Sequence, residues 1–241
     1  MIIFAKSIKI IWLFFWLIAV TLLLFIPITL AALLSRTGNL AFQLSKIWAW
    51  TINKTLFVQA SIRGREKIRP GQAYIIVSNH QSHMDIPSII TQIGLQFRWV
   101  IKKELLWVPL FGYALYASRN IFIDRSDRES TVNTLHKGVE RLPPGVGILF
   151  FAEGTRSPDG QIQSFKKGAF VTALNTGWPI LPLTVNGSRK VLPKGSYVFS
   201  PGRIEVVVGD PIDTSQYSEE NMDLLIAKTR ETILASFLPP N

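Results

Sequence analysis

The chain has 241 residues, enough for one sizeable α/β domain plus a membrane segment, but not for two full domains. Its net charge of +10, from 26 basic and 16 acidic side chains, leaves three partner classes open: nucleic acid, anionic lipid headgroups and phosphorylated substrates. The absence of cysteine excludes disulfides and thiol nucleophiles and fits a reducing compartment.

Between Lys9 and Arg36 there is no charged residue, and Ile10 to Leu34 is almost wholly apolar. As a helix this stretch would extend about 37 Å, against roughly 30 Å for a bilayer core. It is too long for the apolar region of a signal peptide, and no small-residue cleavage site follows it. Pro27 is expected to kink it or end its first regular stretch. After a turn at Gly38-Asn39, the segment Leu40 to Val58 combines Trp48 and Trp50 with Lys46 and Lys54, a mixture suited to a headgroup boundary. Residues 1–58 are therefore expected to form a hydrophobic helical hairpin, membrane-embedded or interfacial, with both ends on one side. A single span is also compatible, because Lys6 and Lys9 before the segment and Arg36 after it barely discriminate orientation.

Residues 59–241 read as one domain in which short apolar runs alternate with helical patterns. Strands are expected at 73–77, 98–101, 120–123, 147–151, 180–185 and 203–208, and helices at 86–93, 128–142, 167–175 and 222–238. The alternation points to an α/β sheet with helices on its faces and a site at the strand ends.

The chemistry-bearing residues sit at those ends. After the first strand come Asn79-His80, with Asp85 five residues beyond the histidine. Histidine is the usual base near neutral pH, and a carboxylate on its second nitrogen would hold the tautomer and stabilise the imidazolium. Such a pair needs a bend, for which Pro87 gives a reason. Asp85 or Ser82 would serve equally as a helix cap, and His80, His83 and Asp85 have the types of metal ligands, though no cluster completes a shell. A second turn, Glu153-Gly154-Thr155-Arg156-Ser157, supplies glycine, hydroxyls, a carboxylate and a guanidinium suited to an anion. Asp124-Arg125 ends a third strand, and Lys102-Lys103 adds positive charge to the same rim; each is also readable as ordinary surface charge. Neither a nucleophilic Gly-x-Ser-x-Gly turn nor a phosphate-binding Gly-x-x-x-x-Gly-Lys loop is present. The pattern suits a base that activates a hydroxyl on a phosphorylated substrate.

Four of these segments occur in an order that resembles the glycerolipid acyltransferase family, in particular its bacterial 1-acyl-glycerol-3-phosphate acyltransferases. They are Asn79-His80 with Asp85, Phe122-Ile123-Asp124-Arg125, Phe151-Ala152-Glu153-Gly154-Thr155-Arg156-Ser157 and Pro179-Ile180-Leu181-Pro182. Two positions depart from the family pattern: Ala152 stands where proline is common, and Arg119 where glycine is common. The resemblance implies a mixed, largely parallel sheet flanked by helices, with an acyltransferase domain over 59–241. It also implies a general base at His80 oriented by Asp85, with His83 outside the catalytic pair. Arg125, Glu153, Gly154, Thr155, Arg156 and Lys102 would bind the acceptor's glycerol phosphate, and Pro179, Ile180 and Pro182 would shape the acyl or donor pocket. The implied reaction acylates the sn-2 hydroxyl of lysophosphatidate from acyl-CoA or acyl carrier protein, without metal or other cofactor. The implied location is the cell inner membrane, with the catalytic domain on the cytoplasmic face and membrane lipid as a partner. Another lysolipid or glycerol 3-phosphate would suit the same motifs. A non-catalytic lipid- or nucleic-acid-binding protein would have no use for the base and carboxylates.

Overall fold

A computed structural model describes residues 2–35, 37–124 and 126–239. The two N-terminal helices are α1 (Ile2–Leu34) and α2 (Asn39–Thr55). They run antiparallel, since Trp12 Nε1 donates to Thr55 O (2.8 Å) and Trp48 Nε1 to Thr21 Oγ1 (3.1 Å). The expected hairpin is therefore present. Contrary to one expectation, α1 does not end at Pro27 but continues to Leu34. Proline removes one i→i−4 bond, a small fraction of those in so long a helix. Among the described residues α1 is the one helix long and apolar enough to cross a membrane, over Phe4–Leu34.

The rest of the chain builds a seven-stranded sheet in the order β1-β7-β6-β2-β5-β3-β4. The strands are β1 (Val58–Arg63), β2 (Ile75–Ser78), β3 (Phe97–Lys102), β4 (Ile121–Ile123), β5 (Gly147–Phe151), β6 (Ile180–Asn186) and β7 (Gly202–Val208). Five of them, β6-β2-β5-β3-β4, run parallel, while β7 is antiparallel to β6 and carries β1 parallel to itself. The fold is thus a mixed, largely parallel sheet flanked by helices. The remaining helices are α3 (Asp85–Gln92), α4 (Phe111–Ala117), α5 (Arg128–Glu140), α6 (Gly168–Thr176), α7 (Ser188–Val191) and α8 (Met222–Ala235).

Successive strand residues alternate between the two faces, which divides the core in two. Tyr74, Ile76 and Leu149 join α1, α2 and α3 on one face through Leu13, Val20, Phe42, Ile52 and Ile89. Ile75, Val77, Ile148 and Phe150 join α5, α6 and α8 on the other through Leu135, Phe170 and Leu225. Strands covered on both sides need apolar residues at every position, which explains the unbroken run Gly147–Phe151.

A buried arginine ties the hairpin to the sheet. Arg98, on β3, donates to Thr37 O (2.7 Å) and Asn39 Oδ1 (2.8 Å) in the α1–α2 turn and lies over the Phe42 ring. Burial lowers its pKa to about 10, so the guanidinium stays charged at neutral pH. The same turn meets the end of α4: a Cβ on Gly38, at φ 72°, would lie 2.8 Å from Ser118 O.

Arg119, next in the chain, adopts φ 63°, a left-handed conformation that costs an L-residue with a long side chain about 1–2 kcal/mol. Arg119→Gly should therefore stabilise the protein by about 1 kcal/mol, read as a raised midpoint in thermal unfolding.

Candidate active site

In this strand order the chain moves outward from β2 to β3 and β4, then returns to place β5 between β2 and β3. The crevice beyond the β2 and β5 carboxyl ends is where an open α/β sheet offers a ligand site. The register pairs Ser78 with Phe151, so His80 and Glu153 stand equally far beyond their strands.

His80 Nδ1 lies 2.7 Å from Asp85 Oδ2. The same oxygen accepts the amide hydrogens of Gln81 (2.7 Å) and Ser82 (2.9 Å). Asp85 is fully buried in the first turn of α3 and reaches back into the preceding loop, so it organises the histidine rather than capping its own helix. Ser82 does not cap the helix either: its hydroxyl accepts from Met84 N and donates to Leu192 O. Because Asp85 Oδ2 accepts all three contacts, Nδ1 carries the proton and Nε2 is left as the basic nitrogen. His83 is exposed and, among the described residues, no three or more His, Asp or Glu side chains converge as a metal-ligand set.

Two features of this geometry were not legible in the motifs. The His80 ring stacks on Phe151, with centroids 3.7 Å apart and planes within 9°. Phe151 in turn lies against Trp99, so an aromatic stack fixes the imidazole plane. The pairing of the β2 and β5 ends would have pointed to Phe151, but that register is a tertiary fact. Asn79 is the second: its side chain donates to Val185 O (3.0 Å) and accepts from Val185 N (2.7 Å), pinning the His80 loop to β6.

Glu153 is buried, and its carboxylate bridges two backbone segments. Oε1 accepts from His80 N (2.7 Å) and Oε2 from Gln163 N (2.9 Å). Burial pushes its pKa up to about 7, the two amide donors opposing that shift. Gly154, Thr155 and Arg156 follow, lining with His80 and Lys102 an open cavity of about 1370 Å³. Lys102 also pairs with Glu104 at 2.9 Å. The cavity runs on between β3–β5 and α5–α6, where Val100, Ile123, Leu135, Val139, Phe150 and Trp178 line it together with polar groups such as His136, Glu140 and Asn175. The cavity thus combines cations and a base with apolar wall that a hydrocarbon chain could contact.

The other expected residues lie differently. Arg125 is outside the described residues, whereas Asp124 beside it pairs with Lys103. Pro179 immediately precedes β6 and Ile180 and Pro182 lie at its start; Pro179 O accepts from Ile75 N and Ile180 is buried in the core. None of the three is among the residues lining the cavity, although Trp178 is.

The raised Glu153 pKa has a defined sign. The folded chain keeps this proton above the ordinary carboxyl range, so its stabilising contribution is full at about pH 4 and lost as pH rises through about 7. Thermal unfolding of the protein should show that decline between about pH 5 and pH 8, and Glu153→Gln should flatten it.

Comparison with known proteins agrees with this geometry. The crystal structure of the 1-acyl-sn-glycerophosphate acyltransferase PlsC from Thermotoga maritima superposes with a TM-score of 0.82 at 26% identity, covering 97% of this chain and 95% of that one. A chloroplast 1-acyl-sn-glycerol-3-phosphate acyltransferase of Arabidopsis thaliana is 34% identical over 195 residues, 80% of this chain and 53% of its own length. One from Pseudomonas aeruginosa is 37% identical over 161 residues, 66% of this chain and 62% of its own. The chain therefore spans between about half and two thirds of the length of these relatives. An acyltransferase family model matches residues 59–186, more than half of the chain and the part that holds the His80–Asp85 pair and the Glu153–Arg156 turn. The chain belongs to the acyltransferase family.

Proposed function

We propose that the protein transfers a fatty acyl group from an acyl thioester to the sn-2 hydroxyl of lysophosphatidate, forming phosphatidate. The observation that carries this reading is the His80 Nδ1–Asp85 Oδ2 contact of 2.7 Å on the wall of a cavity that also presents Lys102, Arg156 and apolar side chains. The relatives named for this activity in a plant and a bacterium support the choice of acceptor.

In this scheme the acceptor phosphate meets Arg156 and Lys102, with the Thr155 hydroxyl and the Gly154 backbone beside them. His80 Nε2 takes the proton of the sn-2 hydroxyl as its oxygen attacks the thioester carbonyl carbon. Asp85 stabilises the imidazolium through Nδ1–H. The tetrahedral adduct collapses with cleavage of the carbon–sulfur bond, and the departing thiolate takes the proton from Nε2. All proton transfers run through one side chain, so the scheme requires neither metal nor cofactor. Glu153 contributes by holding the His80 backbone rather than by contacting the anionic acceptor. Either acyl-CoA or acyl carrier protein satisfies the chemistry.

The long apolar helix supports membrane association, which suits a substrate already dissolved in a bilayer. We assign the protein to the inner membrane with its catalytic domain facing the cytoplasm, where acyl thioesters are available.

Purified protein incubated with a panel of lysolipids and labelled acyl thioesters should yield phosphatidate as the main product by mass. Transfer to every acceptor except lysophosphatidate would overturn the assignment. His80→Ala should lower kcat by at least about 10²-fold while leaving vesicle binding unchanged. Arg156→Ala should raise KM for lysophosphatidate about tenfold or more, with a smaller change in donor saturation; a change in donor saturation alone would refute its phosphate role.

A further inference from the structure

The segment that leaves β3 carries apolar side chains that the fold does not cover. After Lys102 the chain makes a 3-10 turn over Lys103–Trp107 and then enters α4. Trp107 is 83% exposed and Tyr116 60%, and Leu105, Val108, Leu110 and Tyr113 are exposed with them. Single exposed apolar residues are ordinary on any protein, but this density in one short segment makes a patch.

The patch is built into the fold. A Cβ at Gly112 would fall 2.3 Å from Leu106 O and 2.5 Å from Leu105 O, so the turn packs its backbone directly onto α4. Gly112 N also donates to Val108 O at 2.8 Å. That close approach leaves the large side chains facing outward.

Its position is also informative. β3 runs parallel to β5, so the segment emerges at the same sheet edge as His80, and Lys102 and Leu105 line the catalytic cavity. Behind it, Ala114 and Ala117 pack on Ile28, Ala31 and Ala32 of α1, and the Tyr113 ring lies 6.3 Å from Phe25. In that same half of α1, Leu22, Leu23, Ile26, Leu30 and Leu33 are exposed. The patch is thus continuous with the apolar surface of the one described helix suited to a bilayer, and Lys102, Lys103 and Arg119 flank it. Tryptophan and tyrosine among lysines and arginines match the boundary between acyl chains and anionic headgroups.

We propose that residues 105–116 form a second membrane-docking element, which inserts Trp107 and its neighbours into a phospholipid monolayer beside the hairpin. Two contacts at separate points fix the tilt of the domain, so that Lys102 and the cavity it lines lie at headgroup depth. The inference stands on exposure and packing, independently of which acyl acceptor the cavity takes.

The chain has no cysteine, so one probe can be introduced without background. Trp107→Cys, labelled with an environment-sensitive fluorophore, is reconstituted as the whole 241-residue chain in phosphatidylglycerol-containing vesicles with or without spin-labelled lipid. Pro144→Cys, at the opposite sheet edge before β5, is the reference, and Val108→Cys repeats the test if Trp107→Cys folds poorly. The expected result is a blue shift and loss of emission to the spin-labelled lipid at 107 and 108, several times the loss at 144. Equal, water-like emission at all positions on bound vesicles would overturn the proposal. A blue shift that follows the protein-to-lipid ratio without lipid quenching would overturn it too, because a second chain would then cover the patch.

Discussion

Asp85 Oδ2 accepts from the His80 ring and from the amides of Gln81 and Ser82, closing the chain between β2 and α3 into a tight turn around one buried oxygen. Three donors on Oδ2 offset part of the cost of burying the carboxylate, whose Oδ1 is buried without a hydrogen-bond partner, whereas a neutral side chain in its place would leave two amides and an imidazole without a strong acceptor. The turn lets residues five apart meet, which a continuous helix would not allow, since they would lie about 140° apart around its axis. The base, its orientation and the start of α3 therefore depend on one another.

Sheet topology then brings the other groups to that turn. Equal register at Ser78 and Phe151 sets His80 and Glu153 side by side, and the Glu153 carboxylate couples the two loops through their backbones. Phe151 and Trp99 provide a flat wall for the imidazole, and Asn79 holds the loop to β6 on the other side. Lys102 and Arg156 line the same open cavity as His80.

The hairpin is not appended loosely to this domain. Leu13, Val20 and Phe42 share a core with the sheet, and Arg98 reaches from β3 to the α1–α2 turn. Its guanidinium is held by the Thr37 carbonyl and by the Asn39 side chain at the start of α2. The hairpin and the sheet end that carries His80 are thereby joined through one core.

Local pattern carried much of this in the sequence alone. The long uncharged stretch before Arg36, the apolar runs at β2, β5 and β6, and the ordered His80, Glu153 and Pro179 segments pointed to an anchored α/β acyltransferase because each depends on residues close in the chain. Some local signals were present but masked: Val58, Ala60 and Ile62 alternate with polar residues as a strand should, yet they adjoin a helical segment that absorbed their start. α4 was hidden because the apolar residues around it face outward and lack a helical stripe. What only the tertiary structure decided are matters of register and strand order: that Glu153 holds the His80 backbone, that Phe151 stacks on its ring, and that the segment 105–116 joins the apolar surface of α1. Those relations link residues tens of positions apart, where spacing along the chain carries no information and only the packing of the sheet brings them together.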